Sequence, residues 1–169
     1  MTQSIGLGGG CHWCSEAIFE HLKGVLKVEQ GWIKPKEIDS FSEAVIVTFD
    51  TDHISLDTLI EIHLYTHSST SNHQFRKKYR SAIYTFDKTQ FEVAKEILQT
   101  KQKLFDKRLI TQVYCFLEFR SNEEQYLHYY QKNSSKQFCQ VHIEPKLQLL
   151  LKKYSQHYKK DNNANTKTL

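Results

Sequence analysis

A chain of 169 residues with 39% apolar side chains and a formal charge of +4 is long enough to bury one core and too short for two ordinary domains. No run approaches the roughly 18 apolar residues of a membrane span, which speaks against a membrane protein. The mild positive excess gathers late, in Lys152, Lys153, Lys159, Lys160 and Lys167, as a solvated face and tail and not as a nucleic-acid footprint.

Residues 4–7 form a short run ending in glycines, which predicts a first strand feeding the stretch Gly8-Gly9-Gly10-Cys11-His12-Trp13-Cys14. Cys14, Ile18, Leu22 and Val25, with Phe19 beside them, recur at helical spacing, so a first helix is expected to about residue 23, stopped by Gly24. Val25, Val28, Trp32 and Ile33 suggest a second strand, broken by Gly31 and ended by Pro35. Residues 43–49 are the clearest strand: Glu43, Val45, Val47 and Phe49 alternate with Ala44, Ile46 and Thr48. Ser55 then reads as the N-cap of a second helix carrying Leu56, Leu59, Ile60, His63 and Leu64.

Residues 67–78 are polar and aperiodic, a loop in which His67 and His73 are expected to be solvated, and 79–86 return as a strand. The order strand, helix, strand, strand, helix, strand predicts an α+β fold with a ferredoxin-like split βαβ core, an antiparallel sheet with both helices on one side. A long helix bearing Phe91, Ala94, Leu98 and Phe105 should follow, then a strand over 110–118 and a tyrosine-rich helix over 123–132. Pro145 opens a last helix with Leu147, Leu150, Leu151 and Tyr154. One domain over 1–160 and a disordered tail over 161–169 are expected.

The chemistry is expected at the glycine run. A thiol at a helix start meets unpaired N–H groups and the dipole, enough to bring Cys11 from about 8.5 to about 7. The glycines, Gly10 among them, let backbone approach a bound group closely. Cys14, one turn further on, is either a resolving thiol or a small buried hydrophobe. Four cysteines at 11, 14, 115 and 139 are too few for a disulfide framework, so they are catalytic, metal-binding or inert. A zinc-stabilised module would need a second close ligand pair, which Cys115 and Cys139 do not form in sequence. A thioredoxin-like disulfide oxidoreductase also places C-x-x-C at a helix start, but its fold sets a proline opposite the pair, and neither Pro35 nor Pro145 directly precedes a convincing strand. Residues 1–10 carry no apolar targeting segment, so a cytoplasmic location is expected.

Gly10-Cys11-His12-Trp13-Cys14, Glu43 within Ser42-Glu43-Ala44-Val45, Tyr79-Arg80-Ser81-Ala82-Ile83, and Glu123-Glu124 followed by 129–133 resemble the peptide methionine sulfoxide reductase A family over about residues 5–133. The resemblance implies reduction of the S epimer of methionine sulfoxide, free or in proteins, by a cysteine, with no metal and no organic cofactor. Carried over, Cys11 matches the nucleophile, Trp13 the wall of the methyl pocket, Glu43 the acid for the sulfoxide oxygen and Tyr79 a hydroxyl that bonds it. Cys11 would become a sulfenic acid, closed to a disulfide by Cys14, with Cys139 as second candidate, and reopened by a thioredoxin-like donor. A monomer with no nucleic-acid or membrane partner is expected.

The chain departs from the family pattern in several places. His12 replaces the usual phenylalanine, making one substrate-pocket wall polar or setting an imidazolium beside Cys11. No second tyrosine is found between Gly31 and Glu43, and Phe75-Arg76-Lys77-Lys78 replaces a glycine-rich stretch and aspartate. The Tyr-His-Gln segment has become Gln125-Tyr126-Leu127. The alternative implied by these losses is a family member that binds oxidised proteins without turnover.

Overall fold

The computed structural model describes residues 1–159; the expected tail at 161–169 lies outside the described residues. Strand β1 (Thr2–Gly8) pairs along its whole length with β3 (Ser42–Asp50), and its Gly6–Gly8 end also meets β4 (Ala82–Thr85). Strand β3 pairs on its other side with β2 (Val25–Pro35), giving the antiparallel order β4-β1-β3-β2. A fifth strand, β5 (Gln112–Ser121), runs parallel to β4 and antiparallel to β2, so the sheet closes into a barrel. The expected antiparallel sheet is corrected to that extent: one pair, β4–β5, is parallel and the sheet is closed. One long strand serves both edges and satisfies the N–H and C=O rows that open edges would leave bare.

The alternation of β3 explains how the two cores divide. Val45, Val47 and Phe49 enter the larger cluster under the helices with Ile5, Leu7, Ile18, Phe19, Leu59 and Leu150. Ala44 and Ile46 enter the smaller cluster with Ile33, Ala82 and Tyr84, against Tyr114, Phe116 and Phe119. Both faces of the strand are therefore buried, and Glu43 lies on the helix-covered face, at 5% exposure. Gly31 does not break β2. A Cβ there would run into the Arg120 carbonyl oxygen on β5, so glycine is what lets the closing strand approach. Gly31→Ala is expected to destabilise the protein by about 3 kcal/mol, the upper range for overpacking, because backbone and not a side chain must yield. A denaturation midpoint unchanged from the parent would contradict that reading.

Helix α1 (His12–Glu20) buries Cys14, Ala17, Ile18 and Phe19; it stops at the His21 cap, short of the expected residue 23, and Gly24 lies in the turn beyond. Helix α2 (Leu56–Thr66) is capped by Ser55, whose hydroxyl accepts from Thr58 N–H at 3.1 Å. Helix α3 (Lys88–Lys101), capped by Asp87, makes the crossover that a parallel β4–β5 pair requires. It passes into a 3₁₀ turn, Gln102–Leu104, leaving Phe105 past its end. Strand β4 is shorter than the expected 79–86, and Tyr79 sits before it in the loop. The helix expected over 123–132 splits into a 3₁₀ turn, Glu124–Tyr126, and α4 (Tyr129–Asn133). Between them His128 takes a left-handed φ of 54° and bonds Glu20 Oε1 through Nδ1 at 2.6 Å. A π-helical turn, Cys139–Ile143, leads into α5 (Glu144–Lys153), with Pro145 in its first turn. No helix of the described residues is long and apolar enough to cross a membrane.

Candidate active site

Cys11 is the N-cap residue of α1, with φ −57° and ψ 129°. Its carbonyl accepts from Cys14 and Ser15 N–H at 3.1 and 3.2 Å, while its side chain makes no capping bond, leaving the sulfur at the positive end of the helix. Gly9, at φ +156°, brings the chain so close to His67 that a Cβ would enter the imidazole ring. The Gly9 carbonyl accepts from Arg76 Nη1 at 2.8 Å, and the same nitrogen donates to Tyr79 O at 2.9 Å. The guanidinium thus ties the thiol's glycine turn to the loop bearing Tyr79, with Nε on Ser71 O at 2.9 Å as further anchor. His67, expected in solvent, is instead packed inward: Nε2 meets Ser81 Oγ at 2.8 Å and Nδ1 bonds the His63 carbonyl. Burial, with Arg76 and Lys146 nearby, brings it down to about 3, so it is a neutral prop under the glycine turn.

Cys11 is partly exposed and Cys14 is buried one helical turn away, and each thiol shifts the titration of the other. The two thiols therefore titrate as a pair. The bond to Cys14, together with burial, pushes Cys11 up; the same bond received from Cys11, helped by the Lys146 ammonium, brings Cys14 down. The expected depression of Cys11 is corrected accordingly: the first proton leaves from Cys14, and moving one proton across the S–H···S bond puts the thiolate on Cys11. Lys146 reaches the pair from α5, its Nζ 4.0 Å from the Cβ position of Gly10. Cys139 is fully buried and pushed up by burial and by the charge of Cys14.

The β2–β3 register sets Trp32 opposite Glu43 and Gly31 opposite Ala44. Glu43 Oε1 lies 3.2 Å from His12 Nε2, and Oε2 lies 3.7 Å from Lys78 Nζ. His12 Nδ1 is 2.8 Å from the Gly31 carbonyl oxygen, and burial lowers the ring below its ordinary value. The expected imidazolium beside Cys11 is therefore corrected to a buried neutral ring that faces Glu43. Lys78 is raised, first by a hydrogen bond with Tyr79 and then by Glu43.

Trp13 stacks on Tyr129 at 3.9 Å with the planes 7° apart, lies 5.9 Å from Tyr126, and meets Phe138 edge-on at 5.4 Å. These rings and the polar groups enclose one open cleft of about 470 Å³. Cys11, His12, Trp13, Glu43 and Tyr79 all line it, Gly10 adjoins Cys11 in the chain, and Cys14 lies beneath the nucleophile candidate. Lys78, Trp32, Asn122, Glu123, Tyr126 and Phe138 complete the lining; the sequence names Glu123 within a matching segment, Lys78 and Tyr126 within departures and Trp32 within a strand, but none of the six as a site residue. Lys78 had a signal, being next to Tyr79; Phe138 had none, because only the tertiary turn before α5 brings it back. The arrangement offers a soft nucleophile, a second thiol bonded to it, an oxygen acid and an apolar wall: parts for a two-electron exchange at sulfur.

Residues 3–159 match the family model described as peptide methionine sulfoxide reductase. The curated peptide methionine sulfoxide reductase MsrA of Trichodesmium erythraeum is 33% identical over 171 residues, covering 91% of this chain and 96% of the relative. Among solved structures, reduced Mxr1 from Saccharomyces cerevisiae superposes with a TM-score of 0.71 at 21% identity, over 83% of this chain and 91% of that one. Mxr1 in complex with Trx2 gives 0.61 at 18% identity, over 76% and 84%. A match across nearly the whole described chain, together with Cys11, Glu43 and Trp13 gathered on one cleft, places this protein in the peptide methionine sulfoxide reductase family.

Proposed function

We propose that this enzyme reduces methionine S-sulfoxide, free or in proteins, with Cys11 as nucleophile, Glu43 as proton donor and Cys14 as resolving thiol. The observation that carries the assignment is the meeting of the Cys11 sulfur, the Glu43 carboxyl and the Trp13 ring on one cleft, with Cys14 one helical turn from Cys11. A sulfoxide sulfur becomes electrophilic as its oxygen gains a proton, so thiolate and acid must approach from different sides. Cys11 donates an electron pair, the oxygen passes to it with the proton of Glu43, and methionine leaves Cys11 as a sulfenic acid. Cys14 then attacks Cys11, water departs, and a disulfide remains.

Trp13, with Tyr126 and Phe138, receives the S-methyl group, and Tyr79 donates to the oxygen. Lys78 adds a cation beside that oxygen, where the chain has no second tyrosine. With nucleophile, acid and resolving thiol all present, turnover is favoured over a binding-only role. The disulfide, close to the surface at a helix start, suits exchange with a thioredoxin-like donor. We read the four antiparallel strands with α1 and α2 as a ferredoxin-like core closed by β5, residues 1–160 as one catalytic domain, and the enzyme as a cytoplasmic monomer needing no metal. A thioredoxin-coupled assay with the separated epimers tests the function: reduction of the S epimer alone is expected. Equal turnover of the R epimer, or turnover of neither, would contradict it.

A further inference from the structure

His12 is turned toward the acid, and its hydrogen-bond geometry fixes where its protons lie. A carbonyl oxygen only accepts, so the 2.8 Å contact with Gly31 O puts the hydrogen on Nδ1 and leaves a lone pair on Nε2 of the neutral ring. That lone pair faces Glu43 Oε1 at 3.2 Å, with side-chain exposures of only 5% and 6%. Oε1 also accepts from the His12 backbone N–H, but at 3.4 Å, the longer of its two contacts with this residue. Two acceptors 3.2 Å apart still repel each other, whereas one proton between them makes a strong hydrogen bond. Asn122 Nδ2 stands 3.3 Å from Nε2 but spends its shorter contact, 2.7 Å, on Gln30 Oε1, and it leaves the imidazole–carboxyl contact in place.

We propose that His12 and Glu43 hold one shared proton and act together as the proton store of the reaction, His12 keeping Glu43 supplied with the proton that it delivers. This deepens the functional reading and rests on Glu43 being the acid. Oε1 faces the ring while Oε2 faces Lys78, a residue that lines the cleft, and the terminal torsion of a glutamate is broad, so a half-turn of the carboxyl carries the hydrogen from the ring to the Lys78 side. In the step itself the methionine S–O bond breaks, the oxygen bonds to the Cys11 sulfur and takes the shared proton. Methionine sulfur is reduced by two electrons and Cys11 oxidised by two. The carboxylate is then left against a lone pair and regains a proton from solvent through the cleft, balancing the one released when the thiol pair ionised.

The other charges facing the pair act in opposite directions. Glu16 on α1 favours retention of the proton, and Lys78, ahead of β4, favours its loss. The Cys11–Cys14 thiolate also faces Glu43 and favours retention. Trp13 and Trp32 close the remaining sides without charge.

The test is the pH profile of single-turnover sulfoxide reduction in the parent, His12→Phe and Glu43→Gln. In the parent the rate should fall along an alkaline limb as the shared proton is lost. In His12→Phe, which removes the hydrogen-bond partner of the protonated carboxyl, the alkaline limb should move down by about one pH unit or more while the acid-side rate approaches the parent's. An unmoved limb overturns the shared proton, and if Glu43→Gln is slow in the same series, the acid assignment stands without it. A fast Glu43→Gln sinks the acid assignment itself. If His12→Phe fails to fold, nitrogen NMR of the histidine-labelled parent decides. Nδ1 should stay protonated while Nε2 changes at the pH of the rate limb, and a bare Nδ1 or an Nε2 that never responds overturns the proposal.

Discussion

Cys11→Ser is expected to abolish sulfoxide reduction, to a rate indistinguishable from buffer. The helix start, the hydrogen bond to Cys14 and the carboxyl of Glu43 all converge on this sulfur, and no other thiol lines the cleft. A serine hydroxyl fits the same space and can still bond Cys14, so circular dichroism should be unchanged. What is lost is chemical: an alcohol is scarcely ionised near neutral pH and is a poor nucleophile toward sulfur. Cys14→Ser is the matched control. It should still release one methionine per chain and then stall with an oxidised Cys11, because it removes the resolving step alone. Steady reduction by purified Cys11→Ser would move the chemistry to another group.

Glu43→Gln is expected to slow the first step by about 10²- to 10⁴-fold, the usual worth of a positioned general acid. The substitution isolates the proton from the geometry. An amide keeps the size of the carboxyl, its NH₂ can donate to His12 Nε2, and its oxygen can face Lys78, so the contacts at 3.2 and 3.7 Å retain partners. Stability should therefore fall little while the rate collapses. Single-turnover rates within about threefold of the parent would place the proton donor elsewhere, with Lys78 and Tyr79 the next groups on the cleft.

Much of this arrangement was legible in the chain because it follows from short-range rules. The glycine run before Cys11, the period of two in β3 and the cap at Ser55 are local, and each of these elements formed where its pattern lies. Features decided by distant partners were not legible. Gly31 reads as a strand breaker until β5 lies against it, and only then is it a point of close backbone approach. His128 reads as the middle of a helix until its ring bonds Glu20 on α1. His12 illustrates the same limit within the site. Its neighbour in sequence is Cys11, which suggested a cation for the thiol, but the β2–β3 register presents it with Gly31 O and Glu43 instead. The charge of the thiol pair likewise depends on an S–H···S bond that residue spacing permits but does not orient.

The most direct test of the mechanism is to quench the reduced enzyme after a single turnover with stoichiometric methionine S-sulfoxide, alkylate the free thiols and map the peptides. One methionine per chain should appear together with a Cys11–Cys14 disulfide, with Cys115 and Cys139 alkylated. A Cys11–Cys139 disulfide would transfer the resolving role to Cys139. Alkylated Cys11 in enzyme that has already produced methionine would contradict the mechanism at its centre.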